Sequence, residues 1–353
     1  MIWLTVRELV QLERITFRAV PLYSGLLFFR SESDTFLMNY KTESKEFKTV
    51  TIFGCYGESP EVFLPDTIDG LPVTRIADYG FAQTEEEEGM AVFLPDGERK
   101  SEARKRLCGG QVEEIHLPEE LGEVGRYAFY RCFRLKRLSF TDSLTSIGGG
   151  AFTGCQLSHV EIRCRKSRQT CLRQILEEQR FELAVHISYE DQEQIETASL
   201  IFPEHYEEAV ENTPARIVET HYHGSGGDYR QCVYHKEIDY EEYDSLFVKA
   251  KAREDIRTLI RIALARLREP YRLTGQAEEE YADFLRGCAG EIAGFLLEAD
   301  DMKTVRFLLD QKIWEGEALE TALTVAEKKG HAEMSALLLQ AGRKRSGKKT
   351  FDL

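Results

Sequence analysis

No apolar stretch of the chain approaches the roughly 20 residues that a membrane-spanning helix needs. Leu26-Leu27-Phe28-Phe29 is among the longest runs, so no membrane span is expected. An uninterrupted apolar region of roughly 7–15 residues, the core of a secretory signal, is also missing. Arg7 and Glu8 break the first apolar stretch and Glu13 and Arg14 break the next, so the cytoplasm is the expected location, with a surface or secreted one as the alternative. Positive charge is in deficit: Lys+Arg 46 against Asp+Glu 61 gives −15, the wrong sign for wrapping nucleic acid or adhering to an anionic membrane. The eight cysteines, at 55, 108, 132, 155, 164, 171, 232 and 288, form no CxxC pair and are expected to be free thiols.

Catalytic signatures are absent too: no G-x-x-x-x-G-K-[ST], no H-E-x-x-H and no G-x-S-x-G. Gly148-Gly149-Gly150 sits in a repeat turn. Gly224-Ser225-Gly226-Gly227 reads as the turn between two strands, with no helix to receive a phosphate. An active site assembled from distant loops would leave no such trace, so this absence weighs little by itself. What is present is globular: 42% hydrophobic and 30% charged residues over 353 positions, a length that implies two or more domains.

Self-similarity is the strongest positive signal. Val112-Glu113-Glu114-Ile115-His116-Leu117-Pro118 leads to Leu121, Val124, Ala128-Phe129 and Cys132. Lys136-Arg137-Leu138-Ser139-Phe140 leads to Leu144, Ile147, Ala151-Phe152 and Cys155. Leu121 and Leu144, Val124 and Ile147, Phe129 and Phe152, Cys132 and Cys155 are each separated by 23. Val92-Phe93-Leu94-Pro95 lies 23 upstream of Ile115, Val160-Glu161-Ile162 lies downstream, and Val62-Phe63-Leu64-Pro65 begins a still earlier unit. A period of 20–29 residues with one alternating strand per unit is a leucine-rich solenoid, in which neighbours bury each other's apolar faces. The usual asparagine ladder is missing, because the chain has only Asn39 and Asn212. The Leu-Pro…Leu…Ile…Ala-Phe…Cys pattern, opened by Phe53-Gly54-Cys55-Tyr56-Gly57 and by Asp69-Gly70-Leu71-Pro72, instead resembles the BspA-like (Treponema-type) leucine-rich repeats of bacteria over roughly residues 47–163. That resemblance implies a binding scaffold. Many such proteins are surface proteins with signal peptides, and this sequence departs from them there.

Strand alternation sends Val62, Leu64, Val92, Leu94, Ile115, Leu117, Leu138, Phe140, Val160 and Ile162 inward. Two outward columns remain: Phe63, Phe93, His116, Ser139 and Glu161, and beside it Glu61, Ala91, Glu114, Arg137 and His159. This face is the expected site for a protein partner, with Phe63 and Phe93 side by side as an apolar pair, unless another segment covers them. Cys132 and Cys155 share a repeat position and read as small buried residues, with paired redox cysteines as the alternative.

The expected organisation is α+β. Residues 1–46 form an extension, with Met38 as an alternative start. Residues 47–190 form a solenoid of about five units with a C-terminal cap, including a helix at 167–181 and a strand at 183–187. Residues 191–353 are mainly helical. Helical spacing is read at Pro203–Val210, and a β-hairpin at 215–236 around the glycine turn. His221, His223, Cys232 and His235 suggest zinc by type. Cys232 and His235, however, point to opposite faces of a strand, so ordinary hairpin residues are the better reading and neither metal nor cofactor is expected. A metal- or thiol-dependent enzyme centred there is the alternative to a non-enzymatic scaffold, and surface adhesion is a third reading. Further helices are read at 244–252, 255–267 and 278–297. Residues 301–342, with Gly330-His331 between two helices, are similar to an ankyrin unit. The basic tail Arg343–Lys349 reads as a solvated end.

Overall fold

The computed structural model describes residues 24–30, 35–43, 49–57, 59–68, 70–83, 106–191, 194–212, 217–234 and 236–346. The chain divides into two compact units, Met1–Asp239 and Tyr240–Leu353.

The first unit holds a β-solenoid of about five turns over residues 50–189, and helices dominate the C-terminal region, so the fold is α+β as expected. One wall is a six-stranded sheet in the order Ile195–Phe202, Leu183–Glu190, His159–Cys164, Arg137–Thr141, Glu114–His116, Glu61–Phe63. All neighbours in it are parallel except the first pair. A second sheet runs Ser24–Arg30, Thr35–Glu43, Thr49–Tyr56, Leu71–Ile76, Glu123–Val124, Ser146–Ile147. The inward positions Val62, Leu64, Ile115, Leu117, Leu138, Phe140, Val160 and Ile162 are all buried. Phe81, Phe129 and Phe152 stack as a column, with centroids 5.1 and 5.2 Å apart. Each turn thereby supplies the apolar surface that its neighbour lacks.

The cysteine column is part of this core. The Cys132 thiol donates to the Phe81 carbonyl at 3.3 Å and the Cys155 thiol to the Phe129 carbonyl at 3.1 Å. Burial pushes Cys132 up to about 12 and Cys155 higher still, so neither is a ready thiolate.

One expected turn is not interposed where the repeat arithmetic put it. The strand Glu61–Phe63 pairs directly with Glu114–His116, and Phe81 N–H donates to the Ala128 carbonyl at 2.7 Å. The unit beginning at Val62 therefore stacks straight onto the one beginning at Val112. Val92, Phe93 and Leu94 lie outside the described residues.

A solenoid ends with unpaired backbone, and here side chains satisfy it. The N–H groups of Tyr127, Phe129 and Arg131 donate to carbonyls of the next turn. The equivalent Gly150 and Phe152 N–H groups meet instead the Glu178 carboxylate, at 2.8 and 2.7 Å. Gln179 accepts from Leu157 N–H and donates to the Phe152 carbonyl. Both residues come from the end of the helix Leu172–Glu178, shorter than the 167–181 expected. Arg230, almost fully buried, ties this cap down by donating to the carbonyls of Leu176, Gln179, Phe181, Pro203 and Gly226.

Two further expectations are corrected here. Residues 206–212 form a strand rather than a helix, paired antiparallel with Ile217–His223. Of the strand read at 215–223, Ile217–His223 is seen as a strand, but its partner lies upstream. The hairpin read over 215–236 is replaced by the helix Gly226–Gln231 and a short pairing of Val233–Tyr234 with Glu237–Ile238. Close approach drives this: a Cβ on Gly226 would sit 2.2 Å from the Glu204 carbonyl oxygen, so glycine packs the helix start against 203–204.

The second unit consists of helices Tyr240–Ser245, Phe247–Ala250, Ile256–Arg268, Gly275–Gly287, Ala289–Ala299, Met302–Asp310, Gly316–Lys328 and Ala332–Ser346. Asp255 and Asp301 cap two of them by accepting backbone N–H bonds. At its centre Arg266, fully buried, grips Asp244 with Nε–Oδ1 at 2.7 Å and Nη2–Oδ2 at 2.9 Å. Tyr281 donates its hydroxyl to the same carboxylate. Gly330 connects the last two helices with a positive φ of 71°.

Candidate functional site

Because the six strands share register, their outward residues form rows across the sheet. One row is Phe63, His116, Ser139, Glu161, His186 and Ser199; the next is Glu61, Glu114, Arg137, His159 and Ala184. Of the residues expected at the site, Phe63, His116, Ser139, Glu161, Glu114, Arg137 and His159 are brought together here, and Phe93 lies outside the described residues. Phe63 therefore has His116, not another phenylalanine, as its neighbour across the strands. The two rings stack in parallel, centroids 4.1 Å apart and planes 2° apart.

The middle of the face is a shallow depression of about 310 Å³ lined by Glu114, Arg137, Ser139, His159, Glu161 and His186 among others. Its charges alternate within one strand spacing: Arg137 Nε is 3.7 Å from Glu114 Oε2. His159 accepts or donates at Nδ1 with the Ser158 hydroxyl, 2.9 Å away. Partial burial, and then the Arg137 guanidinium, hold its imidazole below the ordinary value. At one end of the strands Glu119 meets Arg163 and Arg165, and Arg165 also meets Glu190, so a chain of ion pairs runs along the rim.

His186 and Ser199 were missed in the sequence because they belong to the cap. The inward alternation Leu183, Val185, Ile187 carried the signal, at a spacing of 25 from Glu161 to His186 instead of 23.

At the other end, His116 Nε2 lies 3.2 Å from Glu114 Oε1 and 3.6 Å from Glu61 Oε1. Among the described residues these three form a group able to hold a metal ion, their ligating atoms all within 4.8 Å of one another. The four zinc candidates of the sequence are only partly described. His221 and His223 lie on the strand Ile217–His223, Cys232 is buried at the end of the helix Gly226–Gln231, and His235 lies outside the described residues. No helix among the described residues is long and apolar enough to cross a membrane.

A family described as BspA type Leucine rich repeat region matches residues 105–200 in six copies. No curated protein matches the chain. Among solved structures, a leucine rich cell surface protein from Faecalibacterium prausnitzii A2-165 is similar at 19% identity, covering 39% of this chain and 33% of its own length, with a TM-score of 0.23. The T. pallidum Leucine Rich Repeat protein is similar at 22% identity, covering 35% of this chain and 68% of its own, with a TM-score of 0.19. The chain thus spans a third of the length of the first.

Proposed function

We propose that this chain, which carries a BspA-type leucine-rich repeat region, is a non-enzymatic scaffold that binds a protein partner on the outward face of its six-stranded sheet. The observation that carries the reading is the depression on that face, where seven strand-borne polar side chains from successive turns converge while their alternating neighbours build the core. Rigid strands hold Arg137, His159, Glu161 and His186 at fixed spacing, so a partner meets charges that need little reordering on binding. Carboxylate and guanidinium groups side by side favour a partner with both signs of charge and give specificity through complementarity. Cys132, Cys155, Cys164 and Cys171 are buried and burial raises each of them, which disfavours these four as thiolate nucleophiles.

A photocrosslinker placed at Ser139, on the face, is expected to trap the partner. One placed at Gly149, exposed in a turn outside that sheet, is expected not to. Trapping from Gly149 and not from Ser139 would move the site off the face.

A further inference from the structure

We propose that Glu61, Glu114 and His116 form a binding site for one divalent transition-metal ion of the zinc class, at the edge of the face formed by its first two strands. This inference stands apart from partner binding. It rests first on placement: Glu61 and Glu114 are direct register partners on adjacent parallel strands, and His116 sits two positions along on the same side. Like charges held directly opposite destabilise a sheet unless something compensates them.

The imidazole is prepared as a ligand. Stacking on Phe63 fixes its plane, and Nε2 is shielded from solvent without a hydrogen-bond partner. Glu114 Oε1 approaches it to 3.2 Å and Glu61 Oε1 to 3.6 Å. Nitrogen and oxygen ligands at ordinary zinc distances, arranged tetrahedrally, stand roughly 3.3–3.6 Å from one another. The observed separations are close to that spacing. Glu114 is also oriented from behind: Arg137 takes its Oε2, at 3.7 Å, leaving Oε1 for the His116 side.

Charge selects the ion. Two carboxylates and a neutral imidazole balance a dication, and an imidazole donor suits zinc and its neighbours better than calcium or magnesium, which prefer all-oxygen sets. Glu61 is the exposed member of the three, so water can reach the group from its side.

The test is calorimetric titration of Zn²⁺ into the full chain, stripped with chelator, near neutral pH, alongside His116→Gln, Glu61→Gln/Glu114→Gln and the control His159→Gln. All three variants change outward side chains, and circular dichroism confirms that they fold. One site is expected in wild type and in His159→Gln, weakened tenfold or more in the other two. Cobalt substituted at the site should give a visible spectrum without thiolate charge transfer. Equal zinc affinity in all four proteins, a thiolate band with cobalt, or no saturable uptake by wild type below the order of 1 mM would each overturn the assignment. His116 would then be an imidazole paired with carboxylates and nothing more.

Discussion

Neighbouring side chains on the sheet face set one another's protonation, and His159 shows how. Burial and the Arg137 guanidinium lower its pKa while Glu114 opposes them. A base depressed in the folded state binds protons more readily when unfolded. Its stability contribution is therefore present above the ordinary value of 6.5 and is lost as pH falls through the folded-state value. An NMR titration is expected to place His159 below 6.5, and Arg137→Gln is expected to raise it; a value unmoved in that variant would leave burial as the whole cause. Which residues face outward was legible from strand alternation alone, since Glu114, His116, Arg137, Ser139, His159 and Glu161 share the face that period two assigns to them. The Phe63–His116 stack was not. Residues 84–105 nearly fill one repeat in length, so counting placed Phe93 beside Phe63. The pairing of Glu61–Phe63 with Glu114–His116 and the backbone bonds from Tyr79 and Phe81 to Arg126 and Ala128 show that the two flanking turns touch.

Among the elements, the cap is where sequence and structure part. The apolar spacing of Cys171, Leu172, Ile175 and Leu176 announced the helix, and all four are buried. Nothing announced that Glu178 and Gln179 substitute for the missing next turn, because the need for them arises only once the solenoid stops. Glu178→Ala leaves two backbone N–H groups without their acceptor and is expected to cost about 1–3 kcal/mol. Hydrogen exchange should quicken first at Gly150 and Phe152, and unchanged exchange there would show that water replaces the carboxylate. Arg230→Ala strips five carbonyls of their donor and is expected to loosen residues 176–181 together with the chain around Pro203 and Gly226, again read by exchange. The strand at 206–212 was misread as a helix because its short apolar pattern fits either period. Its partner strand decided the outcome, and non-local pairing of that kind leaves little local signal.

For the whole molecule, two cores imply two separate stabilities. The solenoid depends on stacked columns that repeat in sequence and could be read there. The helical unit depends on Arg266, Asp244 and Tyr281, which converge from three helices with no repeat to betray them. Arg266→Met abandons a buried carboxylate and is expected to cost about 3–5 kcal/mol. The loss of exchange protection should be confined to residues 240–346, while the Phe81–Phe129–Phe152 column stays protected. Simultaneous loss in both regions would show that the two units unfold as one.

The measurement that bears most directly on the proposed docking face is partner affinity for wild type beside Arg137→Glu and Tyr79→Asp, each checked for folding. Arg137 lies in the depression and Tyr79 is exposed in a turn outside that sheet. If the face is the docking surface, Arg137→Glu weakens binding at least tenfold, about 1.4 kcal/mol, and Tyr79→Asp leaves it unchanged. Binding that survives Arg137→Glu and fails in Tyr79→Asp would contradict it.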